Sequence, residues 1–231
     1  MVSDALLLRR VEYGEADLVL TLLTEQLGKV SALARGARKS TKRFGGALEP
    51  MHTLTVELDE RSGAELFTLV EAKLKTPRAR ILSSLPALEA AGKALSWARR
   101  AAPPRTPEAA PYAVLTQLLD RLTDAPGHED VALGLAEAGL LLLSAFGWGI
   151  DFERCVRCGK QASAEQSASV DASRGGLICR GCGGARVRLS AAARQRLARA
   201  ASGETHVLLA EDALVTLGIV EAALGAHAGI E

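Results

Sequence analysis

"HTLTVELDE", residues 52–60, alternates strictly between apolar and polar residues, and this pattern indicates the fold of the first third of the chain. Leu54, Val56 and Leu58 fall on one face of the predicted strand, and threonine and acidic residues fall on the other. Such alternation over a short run is typical of a strand with one buried face. The stretch therefore predicts a strand whose leucine–valine face lies against a core.

A second alternating run follows closely in "AELFTLVEAKLK", residues 64–75. Its end places Val70, Ala72 and Leu74 on one face, opposed by charged residues. "RSG", residues 61–63, separates the two runs and suits a hairpin turn. We expect the two strands to pair antiparallel.

Three earlier runs complete the strand pattern of the first eighty residues. They are rich in leucine and valine and are separated by the turn signals "YGEAD" and "EQLG". The runs are "ALLLRRV" (5–11), "DLVLTLLT" (17–24) and "KVSALAR" (29–35). Five short strands predict a small closed barrel, and the five-strand oligonucleotide/oligosaccharide-binding (OB) type fits the count. Strand count alone also fits an SH3-like barrel.

From about residue 81 the spacing of apolar residues becomes helical. Apolar residues recur three and four positions apart in long segments rich in alanine and leucine. These segments are 85–102, 110–125, 128–149, 189–202, with Ser190 as the predicted N-cap, and 211–227. The second part of the chain is therefore predicted to be helical.

Composition excludes several classes of protein. Of 231 residues, 48% are hydrophobic and 24% are charged, which supports a packed core rather than disorder. The longest uncharged apolar stretch, 138–150, is too short to span a bilayer. "MVSDALLLRR" shows no secretory signal. We expect a cytoplasmic protein without membrane contact, in a compartment where disulfides seldom persist.

The four cysteines form two C-x-x-C pairs, in "CVRCGK" at 155–160 and "CRGCGG" at 179–184. This spacing is typical of a four-cysteine zinc ribbon, because each turn presents two thiolates to one side of a tetrahedron. A glycine after each second cysteine allows the turn to close. The residues between the pairs predict only a short hairpin with almost no core, which a metal must hold together. We expect one structural Zn²⁺ per chain, held by Cys155, Cys158, Cys179 and Cys182.

Other interpretations of the cysteines fit less well. A redox C-x-x-C belongs to a thioredoxin-like βαβ unit, which the sequence lacks. Structural disulfides require an oxidising compartment. A catalytic zinc needs an open coordination position, and four thiolates leave none. An empty or partly oxidised site remains open.

A basic segment separates the third and fourth predicted strands. "GKVSALARGARKSTKRFGGA", residues 28–47, has six basic residues and no acid, whereas acids outnumber bases elsewhere in the first eighty residues. Arginine, lysine and main-chain N–H groups on such a loop are suited to nucleic-acid phosphates. Solvated surface is the alternative, and "GARKST" does not have P-loop spacing. The predicted DNA-binding cations are Lys29, Arg35, Arg38, Lys39, Lys42 and Arg43.

At this point the sequence resembles the RecO family of bacterial recombination and DNA-repair mediators. The resemblance rests on "LTLLT", on the glycine two residues before the third strand, on "ARGARKS" and on "LEP". It continues in "F-x-x-C-x-x-C-G" at 152–159 and "GGLICRGC" at 175–182. It covers essentially the whole chain.

The resemblance implies a multidomain α+β protein, with an N-terminal OB-fold followed by an all-α domain that carries an inserted zinc ribbon. The expected boundaries are 1–80 for the DNA-binding barrel, 81–150 with 186–231 for the helical domain, and 151–185 for the ribbon. Family members bind single- and double-stranded DNA and anneal complementary strands. They also bind the C-terminal tail of single-strand-binding protein and act with RecR to load RecA.

Site residues carried over from the family fall on the basic loop, at Arg35, Arg38, Lys39, Lys42 and Arg43. Tyr13 and Phe44 are predicted to lie in turns or loops, where they can stack on bases, whereas Phe67 is predicted to lie in the core. Because stacking aromatics are few, charge is expected to dominate binding, with little base preference.

The acidic tail peptide requires basic residues beside an apolar groove on the helices before the ribbon. The candidates are Arg99, Arg100, Arg105 and Arg121. No catalytic motif is visible, so we expect no enzyme and no small-molecule substrate. Two alternatives stay open: an adaptor whose basic loop binds an acidic protein, and a zinc-dependent nucleic-acid enzyme.

Overall fold

The computed structural model describes residues 1–44, 46–60, 63, 65–107, 109–124 and 127–229. They belong to two compact units, Met1–Ala125 and Pro126–Glu231. The first unit holds a barrel and two long helices, and the second holds three helices and a small sheet.

Five strands close into the predicted barrel. The elements are β1 (Val2–Tyr13), β2 (Asp17–Thr24), β3 (Gly28–Ala34), a short helix α1 (Thr41–Phe44), β4 (Thr53–Asp59) and β5 (Phe67–Thr76). The strand order is β1-β2-β3-β5-β4, with β1 and β4 pairing to close the barrel and β3 parallel to β5. This five-strand closed order is OB-like.

Alternation along the strands separates the barrel interior from its outer face. In β3, Val30, Ala32 and Ala34 are buried, and the residues between them are half-exposed. The leucine–valine face of residues 52–60 is also buried as predicted, with at most 1% of its three side chains exposed. The hairpin partner β5 pairs antiparallel with β4, whereas Arg61 and Ser62 of the expected turn lie outside the described residues.

The predicted inner face of β5 is wrong in two positions. Val70 is 37% exposed and Leu74 is 46% exposed, and only Ala72 of the predicted trio is buried. The strand register explains the exposure of Val70. Glu71 and Leu69 pair with Glu57 and Leu58, which are adjacent in β4, so the register shifts by one residue at Val70. The bulge leaves Val70 unpaired and turns Leu69 into the core.

Two long helices belong to the same compact unit as the barrel. A 3₁₀ helix (Ala79–Ser83) leads into α2 (Leu85–Ala101), which is followed by α3 (Ala109–Thr123). Ser84 caps α2, since its hydroxyl accepts a hydrogen bond from Ala87 N. The first compact unit thus includes these helices as well as the barrel.

A buried guanidinium joins α3 to the base of the barrel. Arg78 is 1% exposed and donates from Nε to Asp120 Oδ1 of α3 at 2.7 Å. Its Nη1 donates to Met51 O and to Thr53 Oγ1, each at 3.0 Å. A charged group this deeply buried needs such partners, because its desolvation is costly. The contact therefore fixes α3 against the strands.

Glycine is required at the start of β3, where the α2–α3 connection crosses the barrel. Gly28 has φ +66°, and a Cβ there would lie 1.7 Å from Thr106 O. Beside it, Arg105 N donates to Lys29 O at 2.8 Å, and Pro104 bridges Lys29 in parallel. The connection thus lies directly on β3 at a distance that no larger residue permits.

The second unit places a small sheet between helices. Its elements are α4 (His128–Ala145), β6 (Asp151–Cys155), β7 (Ala168–Asp171), β8 (Gly176–Ile178), β9 (Val187–Leu189), α5 (Ala191–Ala201) and α6 (Ala210–Ala228). Ser190 caps α5 as predicted, with its hydroxyl accepting from Ala193 N at 3.1 Å. Within the described part of the chain, no helix combines the length and apolarity needed to cross a bilayer.

The cysteine-bearing insert is more structured than the predicted short hairpin. Its four strands form a sheet in the order β6-β8-β7-β9. Phe152, Val170, Leu177 and Ile178 are at most 3% exposed and form a small apolar layer. The insert therefore buries more apolar side chains than the predicted short hairpin with almost no core.

We predict that Gly28→Ala destabilises the first unit far more than Gly14→Ala. Both glycines have positive φ, but a Cβ at Gly14 meets nothing within 4 Å. Gly14→Ala should cost about 1 kcal/mol, as expected for a side chain in the left-handed region. Gly28→Ala should cost at least about 2 kcal/mol more, because the α2–α3 connection must also move. Denaturant unfolding measures both, and equal losses would show that the connection does not lie on β3.

Candidate nucleic-acid interface and metal centre

Four cysteines meet at one point of the second unit. Cys155 ends β6 and Cys158 follows in the turn, while Cys179 follows β8 and Cys182 ends a 3₁₀ turn. Their Sγ atoms all lie within 4.8 Å of one another, and those of Cys158 and Cys179 are 3.7 Å apart. A tetrahedral ion with metal–sulfur bonds of about 2.3 Å places its ligands about 3.8 Å apart. The four thiols therefore fit a tetrathiolate metal site.

The two turns close as the sequence predicted. Gly159 and Gly183, which follow the second cysteine of each pair, have φ of +72° and +101°. Gly159 N donates to Cys155 O at 2.8 Å, which closes the first turn. Cys179 N donates to Cys155 Sγ at 3.3 Å and thereby links the two pairs. Backbone donors of this kind stabilise a thiolate.

Hydrogen bonding gives the cysteine thiols opposite tendencies to ionise. The backbone N–H of Cys179 lowers the pKa of Cys155 to about 6. Hydrogen bonds with the neighbouring thiols, first of all Cys179, raise the pKa of Cys182 to about 12. Four thiols held together do not all ionise unless a cation compensates their charge. The cluster is thus consistent with a structural metal ion.

A buried arginine that the sequence analysis missed joins the insert to α5. Arg194 is 4% exposed, and its Nη1 donates to Phe152 O at 2.8 Å. Its Nη2 donates to Ser163 O at 2.8 Å and to Ala164 O at 3.3 Å. No sequence motif distinguishes Arg194 from Arg196 and Arg199 of the same helix. The insert is therefore held by this guanidinium as well as by the cysteines.

The six predicted DNA-binding cations divide into two groups. The side chains of five lie exposed in the segment between β3 and β4: Arg35, Arg38, Lys39, Lys42 and Arg43. Lys29 instead lies within β3, half-buried, and its Nζ donates to Arg99 O at 2.7 Å. Lys29 thus belongs to the barrel wall rather than to the loop.

The start of the loop is tied to the turn between β1 and β2. Gly36 N donates to Asp17 Oδ1 at 2.7 Å, and Arg38 N donates to Ala16 O at 3.0 Å. The Arg38 guanidinium also pairs with Glu12 at 3.2 Å. We refer to residues 35–43 as the basic loop.

Three cations of the basic loop remain available for an anion. Arg35, Lys39 and Lys42 are exposed and make no ion pair in the described part of the chain. Arg43 has a local role, because its Nη2 donates to Arg35 O at 2.6 Å. The loop thus holds its backbone in place and directs positive charge outward.

The two predicted stacking aromatics differ in exposure. Tyr13 ends β1 and is 60% exposed, so its ring is accessible. Phe44 is 2% exposed and lies in the barrel core, so the prediction that it stacks on bases is wrong. The short helix α1 folds back over the barrel and inserts this ring, and the Arg43 guanidinium lies 5.0 Å from its centroid. Phe67 is buried as predicted.

The four arginines proposed for an acidic peptide have different environments. Arg99 and Arg100 lie in the last turn of α2, and Arg121 lies in the last turn of α3. Arg105 lies in the connection between the helices rather than on a helix, which corrects the prediction. Its guanidinium pairs with Glu60 at 2.7 Å and lies 4.8 Å from the Phe67 ring centroid.

Lys29 and Arg99, which the sequence analysis assigned to different sites, meet in the structure. Burial lowers the pKa of Arg99, and the nearby Arg9 and Arg100 lower it further. Arg9, which sequence analysis also missed, lies on the exposed face of β1. Regular alternation would give Arg9 the same face as the core residue Leu7, and the bulge between them instead places Arg9 opposite Thr21, so no local sequence pattern predicts its position.

Comparison with known proteins agrees with this architecture. The family model described as "Recombination protein O N terminal" matches residues 1–78, and "Recombination protein O C terminal" matches residues 82–227. A "DNA repair protein RecO" from Anaeromyxobacter sp. (strain K) is 41% identical over 175 residues, which cover 76% of this chain and 67% of that protein.

A relative matched over nearly the whole length supports the same assignment. The "DNA repair protein RecO" from Geobacter metallireducens (strain ATCC 53774 / DSM 7210 / GS-15) is 33% identical over 229 residues. The alignment covers 97% of this chain and 91% of that protein. Together with the barrel, the helices and the cysteine cluster, these matches show that the chain belongs to the RecO family of DNA repair proteins.

Proposed function

We propose that this protein is a cytoplasmic recombination mediator that binds single- and double-stranded DNA through its barrel and anneals complementary strands. With RecR it helps to load RecA on strands covered by single-strand-binding protein. Its family supports a role in recombinational DNA repair. The observation that carries the DNA-binding proposal is the basic loop, whose Arg35, Lys39 and Lys42 are exposed and make no ion pair among the described residues.

Charge is the proposed source of affinity. Lysine and arginine side chains that neutralise phosphates release counterions from the nucleic acid, and this contribution is independent of sequence. With Phe44 in the core, Tyr13 is the remaining candidate of the two for stacking. Binding should therefore depend strongly on salt and discriminate little between bases.

Two other functions fit parts of the same geometry. In an adaptor, the basic loop would bind an acidic protein. Salt-sensitive binding to DNA of any sequence would count against the adaptor function. A zinc-dependent nucleic-acid enzyme would need an open metal position, whereas all four thiols here converge on one point. We therefore propose action by binding rather than by catalysis.

We propose Zn²⁺ as the ion of the cysteine cluster, one per chain. Four thiolates in a tetrahedral arrangement favour zinc in structural sites. When bound, the ion supplies cross-linking of the two C-x-x-C turns, while Arg194 holds the loop between them.

We predict that Cys179→Ala removes the metal and loosens the insert. Zinc binding is coupled to folding in small zinc modules by about 10–16 kcal/mol, so losing one ligand should release the ion. Elemental analysis and thiol titration measure the loss. Ser167→Ala in the same insert is the control and should keep one ion per chain. Native protein that contains no zinc and has four freely reacting thiols would contradict the zinc assignment.

We predict that affinity for single-stranded DNA falls with salt, with a slope of log affinity against log salt of about −3 to −4 if four to six phosphates are neutralised. Lys39→Ala with Lys42→Ala should make the slope shallower by about one unit and weaken binding to all sequences alike. These two lysines are chosen because Arg43 also holds the loop backbone.

The control for this experiment is Arg80→Ala with Arg186→Ala. Both arginines are exposed and make no ion pair in the described part of the chain, so the change in net charge is the same. Fluorescence anisotropy over a range of salt gives each slope. If the lysine variant binds and anneals like the control, the basic loop is solvated surface.

We further propose that the protein binds the acidic tail of single-strand-binding protein, with Arg99, Arg100, Arg105 and Arg121 as the candidate cations. Arg100 and Arg121, in the last turns of α2 and α3, are the positions chosen for the test. The tail peptide should bind the full chain saturably by calorimetry, and Arg100→Ala with Arg121→Ala should weaken it several-fold. Absence of saturable binding would remove this partner proposal.

A further inference from the structure

The strand register brings polar residues into one row on the outer face of the barrel. Arg9 of β1 lies opposite Thr21 of β2, and Thr21 lies opposite Ser31 of β3. Residues directly opposite in antiparallel strands point to the same side of a sheet. None of the three is buried. A guanidinium and two hydroxyls therefore lie side by side across three strands.

Lys29 extends this row toward α2. It lies two residues before Ser31 on β3, so both side chains lie on the same face. Its Nζ donates to Arg99 O at 2.7 Å, which brings the last turn of α2 over the strand. An ammonium group has three donors, so two remain for another acceptor.

All of these residues except Arg9 line an open cavity of about 360 Å³. Its lining includes Thr21, Lys29, Ser31 and Arg99, together with the α2–α3 connection at Pro104 and Arg105. Arg105 is already paired with Glu60. Glu65 also lines the cavity and is its one acidic wall residue among those described. We refer to this cavity as the β3–α2 pocket.

Three positive charges in and around the pocket lie close together and are not ion-paired among the described residues. Arg9, Lys29 and Arg99 make no ion pair with an acid in the part of the chain that the structure describes. Burial and the nearby Arg99 lower the pKa of Lys29. Burial, Arg9 and Arg100 lower the pKa of Arg99. Clustered like charges repel one another, and a bound anion relieves that repulsion.

We propose that the β3–α2 pocket binds a phosphate group of a nucleic-acid backbone, held by Lys29, Arg99 and Arg9 with the Thr21 and Ser31 hydroxyls. Phosphate oxygens accept hydrogen bonds in several directions and therefore suit cations and hydroxyls that approach from different sides. The assignment rests on the proposed DNA-binding function. It adds to the basic loop a second contact, to which α2 contributes as well as the barrel.

The pocket and the basic loop lie at the two ends of β3. Lys29 is at the start of the strand and Arg35 directly follows its end. Six residues at about 3.3 Å each separate them by about 20 Å. Successive phosphates of one duplex strand rise by about 3.4 Å along the helix axis, so this distance spans several of them. β3 thus gives one continuous track for a nucleic-acid strand.

The test is salt-dependent binding of a single-stranded oligothymidine by the full chain carrying Arg9→Ala and Arg99→Ala. Lys29 is kept, because it hydrogen-bonds the end of α2. Loss of one or two phosphate contacts should make the slope shallower by about 0.7 to 1.4 units. At low salt the affinity should fall at least about fivefold, a modest share of the loss that several phosphate contacts can produce.

Three comparisons keep the result interpretable. Arg80→Ala with Arg186→Ala changes the net charge equally and should bind like the parent. Thr21→Val removes one hydroxyl without changing charge, and a two- to fivefold loss there supports the pocket even if the arginine variant is poorly folded. Combining Arg9→Ala and Arg99→Ala with Lys39→Ala and Lys42→Ala should make the slope shallower than either pair of changes does alone.

The outcomes separate this inference from the proposed function. A parent that does not bind DNA contradicts the proposed function itself. A parent that binds DNA, with both pocket variants equal to the control, overturns the pocket assignment alone. The pocket assignment is also overturned if the pocket variants bind DNA normally and lose only the binding of inorganic pyrophosphate or of an acidic peptide. The proposal is supported if the pocket variants lose DNA binding and millimolar pyrophosphate competes with DNA for the parent. The pocket is then a phosphate site that the strand uses.

Discussion

The close approach between the start of β3 and the α2–α3 connection is the constraint on which the first unit depends. With glycine at position 28, Thr106 O comes to within 1.7 Å of where a Cβ would be. The connection can therefore pair with Lys29, and α2 ends directly above the strand. On another side of the barrel, the buried Arg78 holds α3 through Asp120. As a result, the helices form part of the surface that carries the positive charge.

The second unit contains a small insert with a thin core, which other interactions must hold in place. Two C-x-x-C turns bring four sulfurs together, and their geometry fits a tetrahedral ion. Arg194 supplies a second anchor by donating to the carbonyls of Phe152 and Ser163, which lie before and after the first C-x-x-C pair. The proposed metal therefore has a scaffold role, and the proposed phosphate-binding residues lie in the first unit.

Sequence alone predicted the elements whose periodicity is regular. Alternation predicts the barrel strands, three- and four-residue spacing predicts the long helices, and the C-x-x-C spacing predicts the cysteine cluster. The errors arise where a tertiary contact overrides the local pattern. A bulge exposed Val70, and the return of α1 onto the barrel buried Phe44. The proximity of Lys29 to Arg99, seventy residues apart, has no local signal, so the pocket became visible only from the strand register and the helix position.

Hydrogen–deuterium exchange of the zinc-loaded full chain, with and without a saturating oligothymidine, tests the central claim most directly. The claim is that a nucleic-acid strand contacts the first unit along β3, from the β3–α2 pocket to the basic loop. We expect slowed exchange in peptides covering 28–43 and 99–105, with peptides covering 155–184 unchanged. Slowed exchange confined to the cysteine-bearing insert, with none in the barrel, would contradict it.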